Sequence, residues 1–259
     1  MVGGSKRNRK TSLMGNHQKC WLWGRHSVIE LLRADRWHPL EIGLGRDLPI
    51  SVVREARAWA QQHSCPIESW SDDELEDRCR ASDHQGLIAR MPEFPYHSVD
   101  EVLKELPKTG WTTLLDGIQD PFNFGAILRS AEVLGASAAF VGGDQQCGVS
   151  AQVVRSSAGA VLHLPLAQSQ SVIEIARLLQ SRGIQLCGAS EKATLSPREV
   201  DFCLPTCLVI GNEGRGLSPE LLKLCDQTIA IPQAGQVGSL NAAVAAGILF
   251  YEVGRQRSH

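Results

Sequence analysis

The stretch IPQAGQVGSLNAAVAAGILFYEV, residues 231–253, runs from a strand-like start through a loop rich in glycine and amides into an apolar helix. Ile231 and Pro232 are predicted to end a strand. Ser239 is predicted to cap the helix, which leaves Asn241 in its first turn. The helix is apolar on nearly every side, so we expect it to be buried against a sheet, another subunit or both.

Upstream of this stretch, apolar strands alternate with helical patterns from Trp111 onward. Such alternation is typical of a largely parallel sheet covered by helices on both faces, so the predicted fold class is α/β. The predicted strands cover residues 112–116, 138–142, 184–189, 207–211 and 228–232. The predicted helices lie near residues 124–134, 150–158, 170–181, 217–224 and 240–251.

A smaller α/β unit is predicted for residues 19–92. Apolar positions at helical spacing indicate helices around residues 26–34 and 51–63, and Ser71 is a plausible cap for an acidic helix. Pro92, Pro95 and Pro107 mark residues 93–109 as a linker wrapped around a short helix. The larger unit then covers residues 110–259.

The charge of the chain is uneven. A formal net charge of −2 argues against a uniformly basic nucleic-acid-binding protein. Residues 1–18 are predicted to be a disordered basic tail, which is either simply solvated or an arm that reaches a polyanion. No Asp or Glu occurs in residues 1–25, and the basic residues there are Lys6, Arg7, Arg9, Lys10, Lys19 and Arg25.

The remaining composition points to a cytoplasmic protein. No signal peptide or membrane-spanning segment is recognisable, because the longest apolar run is too short and is interrupted. The eight cysteines form no CxxC pair. Buried free thiols are therefore expected rather than a metal site.

Three predicted strand ends carry unusual residues, and ligands of open parallel sheets bind at such ends. In DPFNFGAILRSAEVLGA (120–136), Asn123 is predicted to cap a helix that ends at Gly135, and Arg129 is either functional or a solvated helix residue. GNEGRG (211–216) has neither the glycine fingerprint of a dinucleotide site nor a phosphate-binding lysine. The Asn and Glu between its glycines are nevertheless more than a simple strand–helix turn requires. The loop 232–239 offers backbone groups to a small polar ligand.

Together these three segments resemble the motifs of the SpoU family of RNA 2′-O-ribose methyltransferases. They are DPFNFGAILRSAEVLGA, LVIGNEGRGL (208–217) and IPQAGQVGSLNAAVAAGILFYE (231–252). The N-terminal unit, through WGRHSVIELLRA (23–34) and HQGLIAR (84–90), resembles that family's ribosomal-protein-like substrate-binding domain. Within the family, the sequence most resembles the subgroup of bacterial enzymes that methylate a guanosine ribose in 23S rRNA.

The resemblance implies a deep trefoil knot, an S-adenosylmethionine cofactor, an RNA substrate and a homodimer, with no membrane or DNA partner. It implies no metal, because the leaving group is neutral and already activated. A tRNA substrate and a non-catalytic RNA-binding protein remain as alternatives, and Arg129 is either a general base or an orienting group. The implied catalytic residues are Arg129, Asn123, Glu213, Ser239 and Asn241. The implied cofactor-binding residues are Gly211, Asn212, Gly214, Ile231, Gln233, Val237, Ser239 and Leu240.

Overall fold

A computed structural model describes residues 12–15, 20–143, 145–236 and 238–258. The chain divides into two compact units, the first ending at Pro95 and the second beginning at Tyr96. Within the described residues, no helix combines the length and the apolar character needed to cross a bilayer.

The first unit is a four-stranded sheet with three helices. The strand order is β1-β4-β2-β3, in which β4 pairs antiparallel with β1 and β2, and β3 pairs parallel with β2. Ser71 caps α3 as predicted, because its hydroxyl accepts from the Glu74 backbone N–H while the Glu74 carboxylate accepts from that of Ser71. The elements are β1 (Trp21–Trp23), α1 (Arg25–Ala34), β2 (Glu41–Leu44), α2 (Ile50–Gln62), β3 (Ile67–Ser69), α3 (Asp72–Cys79) and β4 (Leu87–Arg90).

The prediction that residues 1–18 are disordered is wrong for residues 12–15. Leu13 forms an antiparallel bridge with Pro92, and the Met14 N–H donates to the Met91 carbonyl. Met14 is 3% exposed, so burial of its apolar side chain holds the segment in place. The other residues of the predicted tail, including its four basic residues, lie outside the described residues.

The second unit confirms the predicted α/β fold with a parallel sheet. Its strand order is β10-β8-β9-β5-β6-β7, and every recorded pairing is parallel. The strands are β5 (Trp111–Asp116), β6 (Ala138–Val141), β7 (Leu166–Gln168), β8 (Gln185–Ala189), β9 (Thr206–Gly211) and β10 (Gln227–Ile229). The helices are α4 (Val99–Glu105), α5 (Pro121–Val133), α6 (Ala151–Ser156), α7 (Val172–Ser181), α8 (Pro219–Leu224) and α9 (Ala242–Arg257).

The centre of this sheet is buried on both faces. Leu114 and Leu115 are adjacent in β5, so their side chains point to opposite faces, yet both are fully buried. The same holds for Leu208 and Val209 in β9. Burial on both faces explains why these strands read as continuous apolar runs.

The last strand and helix depart from the prediction. Strand β10 ends at Ile229, so Ile231 and Pro232 lie in the following loop. Helix α9 is capped by Asn241 rather than by Ser239, because the Asn241 side-chain oxygen accepts from the N–H groups of Ala243 and Val244 at 2.9 and 3.2 Å.

The cap of α5 also differs from the prediction. The Asp120 carboxylate accepts from the Asn123 backbone N–H at 3.0 Å, so Asp120 is the cap and Asn123 lies within the first turn. The amide of Asn123 is thereby left for other partners. Gly135 follows the helix with a φ of 85°, as predicted for a left-handed helix end.

Helix α9 is not buried on nearly all sides within one chain. Ala246, Leu249 and Phe250 are fully buried. The opposite face is exposed, with Val244 at 51%, Ile248 at 41% and Tyr251 at 62%. The described residues therefore leave an apolar stripe uncovered on the last helix.

The cysteines are unpaired, as expected, but they are not all buried. Cys203 is exposed, whereas Cys187 and Cys207 lie in the core of the second unit. Burial raises the pKa of Cys187, Cys207 and Cys225 to about 12, so these three remain protonated thiols at neutral pH.

Gly125 generates a test of how α5 and α6 fit together. A Cβ atom at Gly125 would lie 1.9 Å from the Ser156 hydroxyl and 2.8 Å from the Ser157 backbone nitrogen. We expect Gly125→Ala to destabilise the protein by about 1–3 kcal/mol through overpacking, although alanine is the better helix former. Chemical denaturation measures the change.

Gly254→Ala in α9 is the matched control. A Cβ atom there would meet only the Leu134 carbonyl, at 3.9 Å. This variant should gain about 0.5–1 kcal/mol from the reduced backbone entropy of the unfolded chain. Equal effects of the two substitutions would contradict the steric explanation.

Candidate functional site at the strand ends

The carboxyl ends of β5 and β9 lie side by side. Asp116 pairs with Gly211 in the parallel register. The Asp116 carboxylate is 5% exposed and accepts from the Ser218 backbone N–H at 2.8 Å. It therefore fixes the start of α8 and directs residues 211–217 across the end of the sheet.

The loop 211–216 is closed by its own backbone and by Asn212. The Asn212 and Gly216 backbones exchange two hydrogen bonds, and the Asn212 side-chain oxygen accepts from Gly214 N–H at 2.9 Å. The Asn212 amide nitrogen donates to the Gly117 carbonyl at 2.7 Å. A Cβ atom at Gly211 would lie 2.3 Å from the Gly216 carbonyl carbon, so glycine is required there.

Three side chains from different segments form one chain of hydrogen bonds, which we call the amide bridge. The Asn123 amide nitrogen donates to Glu213 Oε1 at 3.0 Å. The Asn241 amide nitrogen donates to Asn123 Oδ1, also at 3.0 Å. The structure therefore brings together three of the five predicted catalytic residues, one from each strand end.

The loop that precedes α9 presents an open backbone. Ile231 is half-buried, while Gln233, Ser239 and Leu240 are exposed. No hydrogen bond within the described part of the chain is recorded for residues 231–236 or 238–240. Val237, predicted to bind the cofactor, lies outside the described residues.

Arg129 is not joined to the amide bridge. It is exposed on α5, six residues after Asn123, which corresponds to about 9 Å along the axis and about 120° around it. Ser239 likewise has no recorded contact with the amide bridge among the described residues. Arg129 has no recorded hydrogen bond or ion pair within the described residues and is free to meet a ligand.

Arg215 was not among the predicted site residues, yet its side chain lies at the site. Gly117 has a φ of 77°, and a Cβ atom there would stand 2.8 Å from the Arg215 Nη2 atom. Asp116 and Asp120 were also omitted, although each organises the backbone of one site segment. An arginine between two glycines is the only sequence signal that would have pointed to Arg215.

These groups suit recognition of a polar, anionic ligand. Glu213 supplies a carboxylate acceptor whose orientation Asn123 holds. Arg129 and Arg215 offer exposed guanidinium groups, which bind phosphate oxygens in a bidentate geometry. A carboxylate acceptor and exposed guanidinium groups suit a polar, anionic ligand better than an apolar small molecule.

Comparisons with known proteins agree on one family. The SpoU rRNA Methylase family model matches residues 110–251. The 23S rRNA (guanosine-2′-O-)-methyltransferase RlmB of Shewanella oneidensis is 32% identical over 245 residues, which cover 91% of this chain and 97% of that protein.

Two solved structures extend the comparison. The SpoU methyltransferase AviRb from Streptomyces viridochromogenes, in complex with the cofactor AdoMet, has a TM-score of 0.79 and 29% identity, covering 94% of this chain and 95% of that one. A TrmH/SpoU tRNA modifying enzyme from A. aeolicus has a TM-score of 0.53 and 30% identity, covering 61% of this chain and 80% of that one.

Asn241 both caps α9 and holds the amide bridge, and two substitutions separate these roles. Asn241→Ala should destabilise the protein by about 0.5–2 kcal/mol, because the first N–H groups of the helix lose their acceptor. Asn241→Asp retains an acceptor for the cap but has no donor for Asn123. We expect near-normal stability for Asn241→Asp in chemical denaturation. A loss as large as that of Asn241→Ala would show that the bridge, not the cap, stabilises the helix start.

Proposed function

Because the chain belongs to the SpoU rRNA methylase family, we propose that it methylates a ribose 2′-hydroxyl of a guanosine in 23S rRNA. It is an RNA methyltransferase that uses S-adenosylmethionine. The assignment of a guanosine in 23S rRNA as substrate is based on RlmB relatives such as the Shewanella protein, which spans nearly the same length as this chain. The observation that carries the proposed reaction is the amide bridge among Asn123, Glu213 and Asn241.

The residues at the strand ends fit S-adenosylmethionine. Its adenine, ribose and amino-acid groups need hydrogen-bond partners, and the backbone of residues 231–236 and 238–240 makes no recorded hydrogen bond to the described part of the chain. Ile231 and Leu240 add apolar surface for a purine ring. We assign the cofactor to Gly211, Asn212, Gly214, Ile231, Gln233, Val237, Ser239 and Leu240. When bound, it supplies an electrophilic methyl group on a positively charged sulfur.

The amide bridge provides a preorganised acceptor for the substrate. Asn123 orients Glu213 Oε1 and is itself held by Asn241, so neither amide can rotate without breaking a hydrogen bond. A ribose hydroxyl placed beside Glu213 can donate its hydrogen bond to the carboxylate. This polarises the hydroxyl oxygen, which is a weak nucleophile while protonated.

Arg129 is assigned to the RNA side of the site. A guanidinium stays protonated in proteins, so it acts best by binding a phosphate and orienting the adjacent ribose rather than by removing a proton. Its exposure and its freedom from recorded partners within the described residues support this role. Ser239 is left with a supporting role near the cofactor.

The remaining features complete the proposal. Residues 19–92 are assigned to RNA binding and residues 110–259 to catalysis, with a deep trefoil knot in the last segment. The predicted linker, residues 93–109, includes α4, which belongs to the second unit. The basic residues in 1–18 add phosphate contacts. With an rRNA substrate, the proposed location of the protein is the cytoplasm.

A tRNA substrate is the second candidate. It is favoured by the likeness to the A. aeolicus tRNA modifying enzyme, although that likeness covers only 61% of this chain. A non-catalytic RNA-binding protein is less well supported, because the amide bridge joins three residues that a scaffold has no need to align. Mapping 2′-O-methylation in rRNA and tRNA of a deletion strain distinguishes these functions.

A homodimer is proposed from the exposed stripe on α9. Val244, Ile248 and Tyr251 recur at helical spacing and are 41–62% exposed. Contiguous apolar patches on a soluble surface mark interaction sites. A second copy of the chain that covers this stripe would give the helix the burial predicted from its sequence.

Arg129 provides the sharpest test of the proposed reaction. We expect Arg129→Ala to lower single-turnover methyl transfer to the cognate RNA by about 10²-fold or more. S-Adenosylmethionine binding, measured by calorimetry, should remain nearly unchanged, because cofactor contacts are assigned to other segments. Arg129→Lys retains the charge but loses the planar fork of donors, so it should recover little activity if bidentate orientation is required.

Arg177→Ala is the matched control, since it removes an exposed arginine from α7. It should transfer the methyl group at nearly the unmodified rate. Full activity in Arg129→Ala would show that Arg129 is an ordinary solvated helix residue with no role in the reaction.

The dimer is tested by light scattering of the full chain. We expect twice the chain mass of 28.2 kDa. Ile248→Glu places a charge in the stripe and should shift the protein towards the monomer. Ile50→Glu, at a 73% exposed position of α2, should leave the mass unchanged. A monomer mass for the unmodified chain would exclude the dimer.

A further inference from the structure

The first unit carries a group of metal-ligating side chains that the proposed reaction does not use. Asp35 directly follows α1 in a left-handed conformation with a φ of 51°, and His63 directly follows α2. The ligand atoms of Asp35, His38 and His63 lie within 4.8 Å of one another. We propose that these three residues bind a divalent transition-metal ion of the zinc class, a site that is independent of methyl transfer.

The separations suit a single ion. His63 Nε2 lies 3.0 Å from Asp35 Oδ1, and His38 Nε2 lies 3.2 Å from the same oxygen and 3.2 Å from the Asp35 backbone carbonyl, so His38 needs its Nε2 deprotonated to bind an ion through that atom. With metal–ligand bonds of about 2.0–2.1 Å, neighbouring ligand atoms of a tetrahedral zinc ion stand roughly 3.3–3.4 Å apart. The two contacts to Asp35 therefore lie within a few tenths of an ångström of tetrahedral spacing, and the two imidazoles lie within 4.8 Å of each other.

The orientation of His63 is the strongest observation. Its Nδ1 lies 2.9 Å from the Trp59 carbonyl, which can only accept, so Nδ1 carries a proton. In the neutral ring, Nε2 then points its lone pair at the Asp35 carboxylate. Two acceptors face each other at 3.0 Å, and this arrangement needs a cation, either a proton or a metal ion. Histidines that bind metals characteristically donate their other ring N–H to a carbonyl or carboxylate.

Trp59 contacts both Asp35 and His63. Its indole N–H donates to Asp35 Oδ1 at 3.0 Å, which orients the carboxylate. Its ring stacks on the His63 imidazole with centroids 4.0 Å apart and an interplanar angle of 16°. His38 meets the edges of both rings. Trp59 therefore contacts all three residues of the group.

The chemistry and exposure of the group define the ion. Imidazole ligands favour zinc, copper and nickel over magnesium and calcium, which prefer oxygen ligands. The side chains of His38 and Asp35 are 50% and 46% exposed, so an ion can enter directly from solvent. His63 is only 16% exposed and anchors the site. Water can fill the remaining coordination position.

Calorimetric titration of the metal-free full chain with Zn²⁺ alone at neutral pH tests the proposal. We expect one ion per chain at this site. His63→Gln and His38→Gln should each weaken binding by about 100-fold or more, since loss of a mere supporting residue already costs 10–100-fold. His26→Gln, which removes an exposed histidine from α1, and Cys203→Ser, which removes an exposed thiol, should bind like the unmodified chain.

A second measurement guards against misfolding of the histidine variants. Asp35→Asn keeps the size of the side chain and should also weaken Zn²⁺ binding strongly, while circular dichroism without metal reports whether each variant is folded. Zn²⁺ should raise the melting temperature of the unmodified chain but not of folded His63→Gln. Absence of binding, or equal affinity in His63→Gln, His38→Gln and Asp35→Asn, would overturn the proposal. The group would then be an imidazolium–carboxylate pair.

Discussion

The parallel pairing of β5 with β9 is the constraint on which the second unit depends. Six consecutive residues of each strand pair, although about 95 positions separate them in the chain. This register sets Asp116 beside Gly211 and so aligns two of the three site segments. The Thr113 hydroxyl reinforces the pairing by donating to the Leu208 carbonyl at 3.0 Å in a buried position. The two loops that follow β5 and β9 therefore take their positions from this pair of strands.

Much of this architecture is readable from the chain, because its signals are local. Apolar runs predict β5, β6, β8 and β9, and the Ser71 capping box marks α3 without any tertiary information. Strand β7 was missed because its three residues, Leu166–Gln168, contain no apolar run as long as those of β5, β6, β8 and β9. The cap of α9 was misassigned because Ser239 and Asn241 both suit that role, and only the path of the loop decides between them.

The amide bridge shows where sequence reasoning ends. Its members were chosen by resemblance, but their hydrogen bonds span 90 and 118 positions in the chain. The local sequence does not indicate that Asp120, rather than Asn123, caps α5. As a result, the Asn123 amide is available for hydrogen bonds to other segments. Likewise, the meeting of Asp35 with His63 requires α1 and α2 to end at the same point. Long-range geometry, rather than residue type, assembles both groups.

The edge strands of the two sheets limit aggregation of the chain during synthesis. Strands β1, β3, β7 and β10 lie at the edges, and each contains only three residues. Single bridges from His97 to Ala167 and from Leu195 to Ile229 further occupy the two edges of the larger sheet. Long, bare edges template pairing between chains, whereas short and occupied ones do not. Parallel sheets form slowly because their strands are distant in the chain. In this protein, short and occupied edge strands limit pairing with other chains during that time.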